Sequence, residues 1–324
     1  MTLKLLAHSI TGVGNVSSVQ LTESYKGQVT QAIITGYSTT LDLGDPITFN
    51  IGFSGNTGKV FTGYVRSIES SLPSAEISVI CEDELSKAID FFIASDDPQD
   101  PFTRQNISTE NLIRDILALA DITSVSLNDP YNATWGVNGS EVTFNLVGAY
   151  DAVNQIVDIL GLDIFANRNG TVVLQNRPPF DTGGEAVSFT WDSAADEILS
   201  ISYTKSTDNL RNRVVVYGLE PIAATASASS PHLPSGFFKS AVIATPAITS
   251  QSQAQQAANI NLALLNRLTE TVNISVEGDW NVRPRLFATV TDSFTGVSGK
   301  WFIYQVQHNF SNDTGYTQDI TLTR

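Results

Sequence analysis

The chain has 324 residues, of which 42% are hydrophobic and only 16% are charged. Its 33 Asp and Glu residues outnumber 18 Lys and Arg residues, giving a formal net charge of −15, which argues against a sequence-specific nucleic-acid reader. The single cysteine, Cys81, cannot form an intramolecular disulfide, and no segment approaches the roughly 20 apolar residues of a membrane helix. The length predicts two or three domains, and the short apolar stretch at the start predicts synthesis in a cytoplasm without a signal peptide.

Residues 1–95 are predicted to form short strands broken by turns. Ile47, Phe49 and Ile51 alternate with polar residues after the turn-like Gly44–Pro46. The segment Leu85–Phe92 then places its apolar residues at helical spacing. We therefore expect a β unit closed by a short helix.

The polar loop Asp96–Pro101 is the predicted domain boundary. Beyond it, Ser108 is the predicted N-cap of one helix, and Asp151 opens a second helix that stops at Gly161. Two β-rich runs surround Asn169-Gly170, a pair that can supply the positive φ angles of a tight hairpin turn. The pattern predicts a small α+β domain over residues 96–185.

Strands are predicted to return in residues 186–324, starting near Val187, Ile198 and Asn212. Residues 219–248 are expected to be a long Ala/Ser/Pro-rich loop inserted in this domain. Its Phe237 and Phe238 are the candidate interaction residues, with the alternative that they cover the domain's own barrel. A helix follows from Ser250 to about Leu268, and its apolar side is expected to pack on the barrel.

Two segments of the chain resemble each other. FSGNTGKVFTGYV, from Phe53, and FTGVSGKWFIYQV, from Phe294, are identical at six of thirteen positions when aligned without a gap. The alternative is that hairpins share a small vocabulary of Gly turns and β-branched strands. The order of the flanking strands favours a duplicated β-barrel unit.

No residue pattern predicts catalysis, a cofactor or a metal site. Gly52–Lys59 differs from a phosphate loop in spacing, in Val60 at the magnesium position and in the strand that follows. His8, His232 and His308 lie far apart, and the acids of Asp96–Pro101 lack the Gly and distal Glu of a calcium loop. The acids of Glu82–Glu84 are explained by the positive dipole at the start of a helix.

The order of several segments resembles a known family. These segments are FTGYVRSIE, AEISVICED leading into a helix, FANRNGTVVLQNRP, NLRNRVVVYG, a helix, GKWFIYQVQHNF and ITLTR. Together they resemble the baseplate hub proteins of tailed bacteriophages, which are related to the late control gene D family and to the hub part of type VI secretion spikes. The resemblance covers most of the chain.

The resemblance implies a mainly β fold with α+β parts. Two tail-tube-like β-barrel domains, 1–95 and 186–324, each with a flanking helix, are expected on either side of the α+β domain 96–185. Because nothing follows the second barrel at Arg324, a spike, needle or lysozyme module is expected on another chain.

The implied function is a structural, non-enzymatic virion protein. A homotrimer would form a pseudo-six-fold ring between the tail tube, or distal tail protein ring, and the tail tip, spike or needle protein, with the tape measure protein as a further possible partner. Its acidic wall would let DNA pass without binding. The alternatives are another tail tube or distal tail ring component and, from a different class, a glycan-binding β-rich protein.

Overall fold

The structure is a computed structural model that describes residues 5–26, 29–94, 102–130, 132–137, 139, 141–176, 189–195, 197–245, 248–266 and 269–324. Up to residue 94 it contains β1 (Leu6–Ile10), β2 (Val13–Gly14), β3 (Ser18–Ser24), β4 (Gln31–Gly36), β5 (Ser38–Thr39), β6 (Pro46–Phe53), β7 (Asn56–Ser71), β8 (Glu76–Glu82), α1 (Ser86–Asp90) and β9 (Phe92–Ile93).

The middle of the chain combines short strands with two amphipathic helices. Its elements are β10 (Phe102–Arg104), β11 (Ile107–Ser108), α2 (Thr109–Leu119), β12 (Val125–Leu127), β13 (Thr134–Trp135), β14 (Val142–Phe144), β15 (Val147–Gly148), α3 (Ala149–Leu160), β16 (Leu162–Ala166) and β17 (Val172–Asn176).

The last part of the chain is again rich in strands. Its elements are β18 (Phe189–Asp192), a 3-10 turn (Ser193–Ala195), β19 (Ile198–Ser206), β20 (Arg213–Tyr217), β21 (Ala223–Ser227), β22 (Ser240–Ala244), α4 (Gln251–Leu265), β23 (Thr269–Glu277), β24 (Phe287–Asp292), β25 (Val297–Ser311) and β26 (Gly315–Thr323).

The helices begin and end where their capping residues predict. The Ser108 hydroxyl accepts a hydrogen bond from the Asn111 N–H, and the Ser250 hydroxyl accepts one from the Gln253 N–H. Gly161 ends α3 with a φ of 63°, a left-handed conformation that suits glycine. However, α3 begins at Ala149 rather than Asp151, which lies in its first turn.

Twelve strands form one antiparallel-dominated sheet that contains both predicted β domains. Its order is β1-β6-β7-β8-β4-β3-β25-β26-β23-β19, with β24 on β25 and β18 on β24. The junction between the two halves is the antiparallel pair β3–β25, from Ser18↔Ser311 to Ser24↔Gln305. Within the described residues this sheet is open at both ends and forms no closed barrel.

The two halves of the sheet share one strand order. In the first half the order is β1-β6-β7-β8-β4-β3, and in the second it is β18-β24-β25-β26-β23-β19. When the six strands of each half are numbered from 1 to 6 along the sequence, the spatial order in both halves is 1-4-5-6-3-2. The pairing at the outer edge differs, since β1–β6 is antiparallel and β18–β24 is parallel. The shared order supports an internal duplication independently of the sequence echo.

The two similar hairpins occupy equivalent positions in the two half-sheets. However, the ungapped sequence alignment is shifted by three residues from the structural correspondence in the long second strand. Just before a bulge, Val65 exchanges backbone hydrogen bonds with Gly44 and Asp45, which lead into β6. Ile303 does the same with Arg285 and Leu286, which lead into β24. Val65 therefore corresponds to Ile303, whereas the ungapped alignment pairs it with Val306, because the hairpin turns and bulges differ in length.

Separate apolar cores lie under the two half-sheets and in the middle domain. One contains Leu21, Ile34 and Phe61, and another contains Ile274, Trp301 and Ile320. The third joins α2 and α3 to α4 and to the small sheet β21-β20-β22. The prediction that the apolar side of α4 packs on the barrel is therefore wrong, because Ala254, Ala257 and Ala258 are buried in this third core and not under a half-sheet.

Two expectations about loops are corrected by the structure. Residues 219–248 are not a simple loop, since they contain β21 and β22, which flank β20. The Ala and Ser residues of these strands have low β propensity, so their pattern hides the strands. In the hairpin between β16 and β17, Gly170 has a positive φ of 79° and Asn169 does not, because Asn167 bonds the Asn169 and Thr171 N–H groups in a longer turn.

Some predicted features fall outside the described residues. They are Val187, Leu268 and nearly all of the boundary loop, including Asp96, Asp97 and Asp100. The division into domains 1–95, 96–185 and 186–324 stays a prediction.

Candidate functional site: the polar face of the sheet and the junction beneath it

Eight strands of the large sheet present a largely polar face, on which Ile33 and Ile80 are half-buried apolar exceptions. Strands alternate side chains between two faces, and here one face covers the apolar cores while the other meets solvent. Residues that lie opposite one another in successive ladders define a row of polar side chains that crosses seven of these strands: Ser200, Ser275, Asp319, Gln307, Thr22, Gln31 and Glu82. This face, which we call the polar face, runs from β19 to β8 and onto the last third of β7.

The charges on the polar face are of one sign. Other rows of the same face add Glu277 from β23, Glu69 from β7 and Glu76 from β8. The residues opposite Glu277, Asp319 and Glu69 in the ladders are Thr317, Gln307 and Ser78. At the bulge that borders them, the guanidinium of Arg66 is paired with Glu82 (3.1 Å) and Asp90 (2.5 Å). The surface is thus hydrophilic and unfavourable for phosphate groups.

Beneath the polar face, a buried polar cluster lies where the two half-sheets meet. Glu23 of β3 is 8% exposed, and His308 of β25 is completely buried. Arg168, from the turn between β16 and β17, donates from Nε to Glu23 Oε1 (2.9 Å), and its Nη2 also pairs with Glu23. The same Nη2 donates to the Val282 carbonyl (2.8 Å). One arginine therefore ties the middle domain to both half-sheets.

The charge state of each residue in this cluster depends on the balance between ion pairing, which favours the charged form, and burial, which disfavours it. Burial opposes the charge of Glu23, but the adjacent Arg168 and the hydrogen bonds from His308 and Arg168 outweigh it and lower the pKa to about 2. Burial lowers the pKa of His308, so its imidazole is neutral near pH 7. The cluster is a paired carboxylate and guanidinium beside an uncharged histidine.

The hydrogen bonds fix which ring nitrogen of His308 carries the proton. The Asp279 N–H donates to Gln318 Oε1 (3.0 Å), which turns the Gln318 amide nitrogen toward His308 Nδ1 (3.0 Å). The Tyr316 hydroxyl also lies 2.7 Å from Nδ1. Nδ1 is therefore the acceptor, and the protonated Nε2 donates to Glu23 (3.2 Å).

A second arginine fastens the middle domain near the same junction. Arg285, just before β24, donates from Nε to Asp163 of β16 (2.6 Å) and from Nη2 to the Tyr25 carbonyl (3.0 Å). Its guanidinium lies 3.7 Å from the centre of the Phe165 ring. Together, Arg168 and Arg285 connect the β16–β17 hairpin to both half-sheets at the junction.

The predicted interaction residues lie away from this junction. Phe237 and Phe238 precede β22 and are 52% and 48% exposed. The Phe237 carbonyl accepts a hydrogen bond from Asn212 (2.9 Å), and the Phe238 ring lies 5.8 Å from the Arg213 guanidinium. Neither ring belongs to the apolar cores among the described residues. Their role in binding stays a prediction.

A cleft beside the junction contains several titratable side chains. It has a volume of about 320 Å³ and is lined by Glu23, Asp83, Arg168 and Arg285, among others. Burial raises the pKa of Asp83 to about 7, and its carboxylate accepts the N–H groups of Thr30 (2.7 Å) and Leu85 (3.0 Å). Burial also raises the pKa of the Cys81 thiol to about 12, so it is a poor nucleophile.

In the described part of the chain, no three His, Cys, Asp or Glu side chains are grouped as metal ligands. The helices described there are all too short or too polar to cross a membrane.

Comparisons with known proteins agree on the fold. Residues 164–323 match the model of a family described as YQBQ-like. Curated protein sequences give no significant match.

Several solved structures resemble the whole chain. A tail protein from Neisseria meningitidis is similar with a TM-score of 0.72 and 15% identity, over 99% of this chain and 97% of that one. The 43 kDa tail protein of prophage MuSo2 from Shewanella oneidensis gives a TM-score of 0.66 and 13% identity, over 99% and 97%.

An E. coli component of the type VI secretion system, described as similar to phage tail proteins, gives a TM-score of 0.59 and 12% identity, over 98% of this chain and 76% of that one. The chain thus has the fold shared by phage tail proteins and type VI secretion components, and the resemblance to the hub family is confirmed at this level.

One sequence pattern indicates the buried cluster, although the sequence analysis above did not use it: a titratable residue at an apolar position of an alternating strand. Glu23 follows Val19 and Leu21 at alternating positions of β3, and all three are buried. His308 lies between Val306 and Phe310 in the same way. A charged residue in the apolar phase of a strand implies a buried partner. That the partner is Arg168, 145 residues away from Glu23, could not be read from spacing.

Proposed function

We propose that this chain is a structural hub of a phage tail or a related injection machine. Copies of the chain would form a trimeric, pseudo-six-fold ring that joins the hexameric tail tube, or a distal tail protein ring, to a three-fold tip, spike or needle protein. The duplicated strand order supports this proposal, because two like units per chain let a trimer match six subunits on one side.

The observation that carries the proposal is the polar face. Each half-sheet folds over its own apolar core on the opposite face, so a ring closed through the sheets leaves the polar face to line the opening. Its acids Glu69, Glu76, Glu277 and Asp319, together with Glu82, which is ion-paired with Arg66, give this face a negative charge that repels phosphates. The channel would therefore let DNA pass during ejection without retaining it.

The proposed role is structural rather than enzymatic. The buried ion pairs Arg168–Glu23 and Arg285–Asp163 hold the parts of the chain together at the junction. Phe237 and Phe238 are proposed to contact a neighbouring tail protein, since they are about half exposed just before β22, an edge strand of the small sheet. The tape measure protein is a further proposed partner, and the assembled virion tail is the proposed location.

Native mass spectrometry of the purified chain over a range of concentrations tests the assembly. We expect a species of three chain masses, with the trimer fraction rising with concentration. A chain that stays monomeric throughout would contradict the proposed ring. A glycan-binding monomer, which is the alternative from another class, would show instead a mass shift on adding oligosaccharides.

A further inference from the structure

The small sheet β21-β20-β22 has one covered face and one open face. On the covered face, Val214, Val216, Ala224 and Ala226 are buried in the core that contains α4. Since side chains alternate between the two faces of a strand, their neighbours in each strand point away from α4. We call this open side the outer face; its three rows are Arg213, Ser227 and Ser240, then Val215, Thr225 and Val242, then Tyr217, Ala223 and Ala244.

Large apolar side chains are exposed on the outer face. Val242 is 64% exposed and Tyr217 is 51% exposed. Phe238 precedes β22 in the same alternation, and its ring lies 5.8 Å from the Arg213 guanidinium, at one end of the face. Tyrosine and arginine side chains grouped with other apolar groups are typical of the residues that contribute most to binding at protein interfaces.

The charge of this region is opposite in sign to that of the whole chain. Residues 209–266, which contain the small sheet and α4, carry three basic residues (Arg211, Arg213 and Lys239) and one acidic residue (Glu220). Their formal charge is therefore +2 (3 − 1, with His neutral), against −15 for the chain. None of the ion pairs between described residues includes Arg213. The guanidinium is free to bind a carboxylate from another molecule.

We propose that the outer face binds an extended, acidic and apolar-rich segment of a neighbouring tail protein. One carboxylate of the segment pairs with Arg213, and its apolar side chains cover Val242, Tyr217 and Phe238. This inference rests on the proposed function, and it adds the chemistry of the partner.

The composition of the outer face favours a protein segment over nucleic acid. Nucleic acid is held by many cations that each neutralise a phosphate, whereas Arg213 is the charged side chain in the three rows. The exposed aliphatic and aromatic groups instead gain free energy when apolar side chains cover them. The edge of the sheet suits an extended segment, because β22 pairs only with β20 among the described strands.

Peptides from the neighbouring tail proteins are the probe for this surface. Overlapping synthetic peptides of about 15 residues, which cover the tail proteins encoded beside this chain, are long enough to span a short sheet. Fluorescence anisotropy of each labelled peptide with the purified chain measures binding. We expect binding by peptides that carry Asp or Glu next to large apolar residues, and we expect added salt to weaken it.

Arg213→Glu tests the ionic contact. The substitution places a like charge opposite the carboxylate of the peptide and should weaken binding by about 10-fold or more. Arg114→Glu is the matched control, since Arg114 is an exposed arginine of α2 whose described side-chain partner is the Asn111 amide oxygen (2.7 Å). It makes the same charge change and should leave binding unchanged. Melting temperatures of both variants control for folding.

Val242→Ser tests the apolar contact. About two-thirds of the Val242 side chain is still open to be covered, so its loss should weaken binding by about 5-fold. Leu43→Ser is the matched control, because Leu43 has a similar exposed fraction (69%) in the loop before β6. This control should bind the peptides like the wild type.

The outcomes separate this surface from the ring of the proposed function. Absence of binding by every peptide, or binding that Arg213→Glu and Val242→Ser leave unchanged, would overturn the surface, even in a chain that forms trimers. Arg213-dependent binding of a double-stranded DNA probe, or Arg213-dependent pairing of two copies in place of peptide binding, would overturn it as well. A monomeric chain that binds the peptides would contradict the ring and leave the surface standing.

Discussion

At the residue scale, the molecule is held together by a few buried polar contacts between distant parts of the chain. Glu23, Arg168 and His308 come from β3, from the middle domain and from β25, and each would be costly to bury alone. Their pairing specifies how the three parts meet. The neutral His308 fits this role, since its Nδ1 faces donors and its Nε2 faces a carboxylate.

Replacing Glu23 by Gln should destabilise the fold. The variant leaves the buried guanidinium of Arg168 without its counter-charge, which costs about 3–5 kcal/mol of unfolding free energy at pH 7. Urea denaturation followed by circular dichroism measures the change. Glu220→Gln, at an exposed position, is the matched control and should change stability by less than about 0.5 kcal/mol.

The same variant should change the pH dependence of stability. The pKa of Glu23 is lowered in the folded chain to about 2, so its contribution is present above its ordinary pKa and lost as pH falls from about 4.5 toward 2. The pKa of His308 is also lowered, so its protonation in acid acts in the same direction. Glu23→Gln should flatten this acid loss, and an unchanged slope would show that the Glu23 pairing does not control it.

At the element scale, small residues decide how α4 packs. Ala254, Ala257 and Ala258 are fully buried where α4 meets the small sheet β21-β20-β22 and α3. The Asn261 side chain donates back to the Ala257 carbonyl (2.9 Å) on this face. A larger side chain there has no space to occupy.

Ala257→Leu should therefore destabilise the protein by about 1–3 kcal/mol through overpacking. Ala263→Leu makes the same change on the exposed side of the same helix and should alter stability by less than about 0.5 kcal/mol. Thermal unfolding of the two variants distinguishes them. Equal melting temperatures would mean that α4 does not pack through Ala257.

Elements with strong local signals were predictable, and those defined by distant contacts were not. Ser108 and Ser250 cap the N-termini of α2 and α4, and Gly161 ends α3, as capping chemistry predicts. Strands β21 and β22 escaped prediction because Ala-rich strands carry little β propensity and are held by β20. The echo indicated duplication, yet its register was wrong in β25, since turn lengths and bulges can only be read from backbone pairing.

At the scale of the whole molecule, the fold could be predicted from the order of its segments, whereas the candidate site could not. The mainly β architecture with helices was expected, and whole-chain similarity to phage tail proteins agrees with it. That β3 joins β25 in one continuous sheet is a long-range pairing that no local pattern specifies. The polar face emerges only when this sheet is assembled.

In the proposed ring, the polar face points toward the central opening. The acids of this face then surround a channel, and both apolar cores lie outside it. Retention of double-stranded DNA by the ring should accordingly be negligible at physiological salt and should appear when Glu277 and Asp319 are replaced by Lys. Filter binding at several salt concentrations measures this change.

An electron cryomicroscopy reconstruction of the assembled particle tests the central claim most directly. The account predicts a three-chain ring with six similar lobes, in which Asp319 and Glu277 line the central opening. A particle whose polar face points outward, or whose chains meet through other surfaces and enclose no channel, would contradict it.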